Sequence, residues 1–166
     1  MDEKSFYELY SKNADQKVAI ASTTKIMTAL VVLEEYHDKL NDIVTITYPM
    51  INIEGSDIQL RPGEKITVEN LLKGLLIMSG NDTAYSLAAH FGGKDAFVQK
   101  MNEKAIFLGL KNTHYKDPAG LDDEGYSTAR DLAVIATYAM RNQKFLEIVK
   151  TPETIITSED GLVSHE

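Results

Sequence analysis

Two short clusters hold the residue types from which a serine hydrolase site is built. The first is Ser22-Thr23-Thr24-Lys25, at the head of an apolar stretch, AIASTTKIMTALVVLEEY, residues 19–36. The second is Ser79-Gly80-Asn81, far along the chain. A serine hydroxyl is a poor nucleophile until a base takes its proton. Lys25 follows Ser22 by three positions, so on a helix its amine can reach the Ser22 oxygen. Lysine is a base only when neutral, which means lowering its pKa from about 10.4 by roughly 3 units, or about 4 kcal/mol. Burial in an apolar helix supplies that pressure. The helix start adds unpaired N–H groups and a dipole that favour negative charge on the serine oxygen. In the second cluster a hydroxyl and an amide flank one small residue and can face the same cavity. Ser79 could relay a proton, and Asn81 could hold Lys25 or a substrate carbonyl.

Each cluster alone also has a structural explanation. Serine and threonine are the usual helix N-caps, and a lysine in the first turn can reach water along its own stem. Ser-x-x-Lys arises by chance about once in two chains of this length. Ser79-Gly80-Asn81-Asp82 could be no more than a helix–loop–helix corner with Asn81 or Asp82 as cap. The pair, in order, carries more than either member.

The surroundings are those of a soluble, folded chain. It has 166 residues, 43% hydrophobic and 25% charged, long enough for one core. A net charge of −8 with no basic cluster to neutralise phosphates argues against a nucleic-acid role. There is no cysteine, hence neither a disulfide framework nor a thiolate metal site. His37, His90, His114 and His165 are scattered without metal-ligand spacing. The longest charge-free apolar run, Ile26 to Leu33, falls far short of the roughly 20 residues of a membrane span. Met1-Asp2-Glu3-Lys4 is not the start of an export signal.

Patterning predicts the elements that position the clusters. Residues 5–10 and 17–20 read as short extended segments, and 24–36 as a helix apolar on most faces. Residues 43–47 alternate weakly and 48–66 look irregular. Thr67 is the predicted N-cap of a helix through LLKGLLIM, residues 71–78. Residues 79–82 break that helix and open another, TAYSLAAHF. A helix follows Gly92-Gly93, then a long loop over 109–126, then a helix capped by Ser127. A strand begins at 154–158. Five helical segments thus lie between strand fragments at the two ends.

The two clusters, with GLDDEGYSTARDLA (residues 120–133), resemble the penicillin-binding and β-lactamase serine acyl-transferases. ASTTKIMTAL, LLIMSGNDTA and GLDDEGYSTARDLA occur in the order found in low-molecular-mass D-alanyl-D-alanine carboxypeptidases. The resemblance implies an α+β, β-lactamase/transpeptidase-like fold. Residues 1–166 would form a single incomplete catalytic domain, with sheet remnants at 1–21 and 154–166 and a mainly helical 22–153. It implies Ser22 as nucleophile toward the penultimate D-alanine carbonyl of a peptidoglycan stem peptide, Lys25 as base, and Ser79 and Asn81 as the second wall. β-Lactams would acylate Ser22, with neither metal nor organic cofactor. An extracytoplasmic location is implied, with the parent membrane-associated through segments not in this sequence.

The family's third motif, Lys-Thr-Gly, does not occur here. A second oxyanion donor, a cation near Lys25 and the carboxylate site are therefore expected to be missing, and the chain is expected to be weakly active or inactive. Two rival readings are a β-lactamase and a non-catalytic peptidoglycan-peptide binder. A class A β-lactamase needs a loop glutamate to activate water. Glu147 and Glu153 are the only glutamates in that region, and neither context resembles that loop. A binding module has no need to retain Ser22, Lys25, Ser79 and Asn81 together. Asp122-Asp123-Glu124 reads as solvated turn, and Arg130, Asp131, Tyr85 and Tyr138 as structural.

Overall fold

The computed structural model describes residues 1–2 and 4–165. At its centre runs α1, Thr24–Glu35, entered through a turn of 3-10 helix at Ala21–Thr23. Met27, Ala29, Leu30, Val31, Val32 and Leu33 are all buried, so α1 has almost no solvent face. Such a helix is held by its neighbours rather than by propensity, since Val31-Val32 is a β-branched pair. Those neighbours are α3 (Val68–Ile77), α4 (Asn81–His90), α5 (Lys94–Phe107), α6 (Ala129–Ala139) and α7 (Gln143–Val149), each of which packs against it. Tyr36, at the end of α1, stacks on Phe91 beyond α4, with ring centroids 3.9 Å apart.

The strands are short. β1 (Ile43–Thr45) and β2 (Lys65–Thr67) pair antiparallel, Val44 opposite Ile66, with both side chains on the core. β3 (Ile156–Thr157) and β4 (Ser164–His165) form a second antiparallel pair. The latter is tied to the former: Glu159 N–H donates to the Lys65 carbonyl at 2.8 Å, and the buried His165 Nε2 lies 2.7 Å from Glu64 Oε1. The class is α+β, with helices dominant and, among the described residues, the sheet present only as these fragments.

Several expectations need correcting. Residues 5–10 and 17–20 are not strands. Val18 makes one isolated bridge to Ser127, and Phe6 turns back at φ +57°, so among the described residues no neighbouring strand faces either segment. Tyr7, Leu9 and Tyr10 stay exposed as a result. Within 48–66 a four-residue helix forms, α2 (Tyr48–Ile51), where Pro49 pre-sets the first turn. α7 also went unpredicted; Asn142 caps it by accepting from Phe145 N–H at 3.0 Å. The cap of α6 is Thr128, one residue after the serine expected, because Ser127 Oγ is engaged by Thr113 Oγ1 at 2.7 Å. Thr67 caps α3 as expected, accepting from Asn70 N–H at 3.2 Å. The N-cap of α4 is Gly80, not Asn81 or Asp82.

Candidate active site

The 3-10 turn ahead of α1 and the corner between α3 and α4 face one another, and Lys25 spans the gap. Its Nζ lies 2.9 Å from Ser22 Oγ, 3.3 Å from Ser79 Oγ and 2.7 Å from Asn81 Oδ1. All four residues named from the sequence are thus gathered on one nitrogen. Ser22 is exposed and Ser79 half-buried, whereas Lys25 is 2% exposed and Asn81 3%. The amine sits behind the serine it would serve.

One serine stands at an unusual backbone position and the other directly follows one. Ser79 has φ +58°, and Ala21, just before Ser22, has φ +43°. L-residues adopt the left-handed region at a cost of roughly 1–2 kcal/mol, and such strain gathers at functional sites. At the α3–α4 corner the chain passes Gly80, where a Cβ would stand 2.7 Å from Asp82 Oδ1 and 3.1 Å from Ile58 Cγ2. Only glycine fits that approach.

Asn81 is fixed on every side. Its N–H donates to the Ser56 carbonyl at 2.7 Å and its Nδ2 to the Glu54 carbonyl at 2.7 Å, which leaves Oδ1 for Lys25. Asp82 pins the same 54–60 loop by accepting from Ile58 N–H and Leu60 N–H, both at 3.2 Å, and from Thr83 N–H at 2.8 Å. Burial pushes the Asp82 carboxyl up, and those N–H bonds hold it back in part.

The Lys25 amine is held below its usual 10.5. Burial is the main cause, and the negative charges of Asp117 and Asp82 work against it. Among the described residues, no carboxylate hydrogen-bonds Lys25. Its three partners are uncharged oxygens, an environment that favours the ammonium far less than an ion pair does.

Other residues fall where the sequence reading put them. Asp122, Asp123 and Glu124 are exposed turn. Arg130 bonds Asp15 and Glu8, and Asp131 accepts from Asn112 N–H at 3.0 Å and from Thr113 Oγ1 at 2.8 Å. Glu147 pairs with Lys144 at 3.3 Å on α7. The resemblance sets the loop 117–126 beside the site without assigning it chemistry; what it does not single out is Asp117 and Gly120 within that loop, which brace the turn before Ser22. Asp117-Pro118-Ala119-Gly120 is a turn signature that could have flagged them.

The sequence profile described as D-alanyl-D-alanine carboxypeptidase matches residues 1–163. The D-alanyl-D-alanine carboxypeptidase DacF of Bacillus subtilis is 42% identical over 150 residues, covering 87% of this chain and 39% of that protein. A solved D-alanyl-D-alanine carboxypeptidase of Mycobacterium tuberculosis superposes with a TM-score of 0.92 at 38% identity, covering 98% of this chain and 62% of the other. A DD-transpeptidase of Streptomyces superposes with a TM-score of 0.91 at 36% identity, covering 100% and 70%. The chain spans between 39% and 53% of the length of the first curated relatives it matches.

Proposed function

The chain belongs to the D-alanyl-D-alanine carboxypeptidase family, and from that premise we propose that Ser22 is the acyl-accepting nucleophile of a D-Ala-D-Ala carboxypeptidase and Lys25 its base. The observation that carries the reading is the single buried nitrogen within 2.9 Å of Ser22 Oγ, with no carboxylate bonded to it.

Neutral Lys25 has one lone pair and two N–H donors. The lone pair takes the Ser22 proton while the N–H groups point to Asn81 Oδ1 and Ser79 Oγ, so the amine needs no reorientation before it acts. Ser22 Oγ then attacks the penultimate D-alanine carbonyl of a peptidoglycan stem peptide. As the tetrahedral intermediate collapses, the proton passes from Lys25, with Ser79 as relay, to the departing D-alanine nitrogen. An ester on Ser22 remains, and water hydrolyses it. A β-lactam follows the first half, its ring nitrogen taking the proton. None of these steps calls for a metal or an organic cofactor.

Such a substrate lies outside the cytoplasm, so we place the protein in the cell envelope, with any membrane association supplied by segments other than these. No helix among the described residues is long and apolar enough to cross a membrane. The 166 residues include no Lys-Thr-Gly, and we propose that on their own they turn over weakly or not at all.

The test is an intact-mass spectrum after incubation with a penicillin. It is run on this chain, on the chain extended through a Lys-Thr-Gly strand, and on the extended Ser22→Ala variant. An adduct on the extended chain that vanishes in Ser22→Ala is the expected result. No adduct on the extended chain, or an undiminished one in the variant, contradicts the proposal. Turnover by the 166 residues equal to that of the extended chain contradicts the weak-activity proposal alone.

A further inference from the structure

The loop that follows Tyr115 lies directly against the residue preceding Ser22. We propose that Asp117 is a positioning residue for acyl transfer: by gathering the backbone N–H groups of 119–122 it seats Gly120 against the Ala21 carbonyl and so fixes the left-handed turn that aims Ser22. The inference rests on the reading of Ser22 and Lys25 as nucleophile and base.

Asp117 is 2% exposed, and its carboxylate is fully occupied. Oδ1 accepts from Ala119 N–H and Gly120 N–H, each at 2.7 Å; Oδ2 accepts from Leu121 N–H at 2.9 Å and Asp122 N–H at 2.8 Å. Four charge-assisted bonds to consecutive amides determine the shape of this loop. A fifth bond ties it to α1, where Thr28 Oγ1 donates to the Pro118 carbonyl at 2.6 Å.

What the loop presses on is the backbone of the nucleophile turn. At Gly120, φ +84°, a Cβ would stand 1.9 Å from the Ala21 oxygen and 2.7 Å from Thr24 Oγ1. The contact is backbone on backbone, without slack. Ala21 holds its φ of +43° under that contact, a conformation alanine leaves when nothing opposes it. Ser22 is the next residue, so a shift of Gly120 is passed directly to the hydroxyl.

Asp117 also acts on Lys25 through its charge. The groups facing Lys25 are Ser22 on its own element, Ser79, Asn81 and Asp82 from the α3–α4 corner, and Asp117 from the loop. Tyr85 on α4, pushed up to about 12 by burial with Asp117 and Asp122 assisting, stays neutral through the working range. Asp117 and Asp82 oppose the effect of burial on Lys25, so removing the Asp117 charge lowers the Lys25 pKa further.

Asp117→Asn separates these roles from bulk stability. Asparagine keeps the shape but offers one acceptor oxygen, so two of the four N–H groups would face an NH2 group. The rate of acylation by a fluorescent penicillin is followed against pH on the chain extended through a Lys-Thr-Gly strand, with Ser22→Ala as blank. Asp117→Asn is expected to acylate about tenfold more slowly at its optimum, as misplacement of a reacting group does. Its rising limb, on the acid side of the optimum where Lys25 gives up its proton, is expected at lower pH, a shift that loss of stability alone does not produce. Gly120→Ala keeps all four Asp117 bonds yet displaces Ala21, and is expected to be at least as slow with its limb unmoved. Asp117→Asn acylating at the unsubstituted rate with an unmoved limb, while Ser22→Ala stays blank, overturns the inference and leaves the nucleophile in place. So does a folded Gly120→Ala that acylates at full rate. Acylation of Ser22→Ala overturns both readings.

Discussion

Two lysines pack against opposite ends of α1, and their surroundings give them opposite chemistry. Lys25, on its first turn, bonds three uncharged oxygens and is held below its usual pKa by burial. Lys104 reaches the last turn of α1 from α5, bonding Glu34 and, at 3.2 Å, the Tyr138 hydroxyl. Burial acts on Lys104 too, but those two bonds outweigh it and its pKa ends up raised. The Phe107 and Tyr138 rings, 4.5 and 4.6 Å from its Nζ, add cation–π attraction. Burial alone therefore does not make a lysine basic at neutral pH. Burial without a bonded carboxylate lowers the pKa, and among the described residues only Lys25 combines that with a serine hydroxyl in reach.

The sharpest way to break this comparison is to remove each amine in turn. Lys25→Met should slow penicillin acylation by about 10³-fold, the loss typical of a deleted general base. Its unfolding free energy should hold or rise, because a buried amine gives way to an apolar side chain. Lys104→Met should leave acylation unchanged and cost about 1 kcal/mol in denaturant unfolding, since Glu34 loses its partner. A similar loss of acylation in both variants would erase the distinction.

Asn81→Asp sharpens it from the other side by giving Lys25 the carboxylate that Lys104 already has. Lys25 should then stay protonated at neutral pH, and acylation should fall between about tenfold and a hundredfold, recovering as pH rises. A rate at neutral pH equal to that of the unsubstituted chain would contradict it.

Stability against pH should show opposite slopes for the two lysines. Between the lowered pKa of Lys25 and 10.5 the unfolded chain binds the extra proton, so this residue makes stability rise with pH. For Lys104 the folded state holds its proton longer. Its contribution is complete below 10.5 and is lost as pH rises through its raised value. The differences of Lys25→Met and Lys104→Met from the unsubstituted chain, measured across alkaline pH, should therefore carry opposite signs. The smallest effect belongs to a residue remote from the chemistry. Thr67→Ala, which removes the α3 cap, should cost about 0.5–1 kcal/mol and leave acylation untouched.

The candidate site was legible because its members sit in compact local patterns. Ser22 and Lys25 share one helical turn, and Ser79 and Asn81 share one corner. The long apolar helices were legible by periodicity for the same reason. The parts that escaped depend on contacts between distant segments. The reading of 5–10 as extended failed because it was made without a partner strand, and none of the described residues supplies one there. α2 and α7 are too short for periodicity to register. Asp117 looks like an ordinary turn aspartate; its importance comes from the Ala21 carbonyl it indirectly braces, nearly a hundred positions earlier in sequence. His165, set aside as scattered, lies buried against Glu64 and joins the two strand pairs, a role visible only once the hairpin has folded back.

The central claim concerns one proton, and the most direct measurement follows that proton. Lysine side chains labelled with carbon-13 and nitrogen-15 would be titrated in this chain by NMR, with the Lys25 and Lys104 signals assigned through the Lys25→Met and Lys104→Met variants. The account predicts a Lys25 midpoint below 10.5 and a Lys104 midpoint above it in the same spectrum. A Lys25 midpoint at or above that of Lys104 would leave Ser22 without its base and contradict the account.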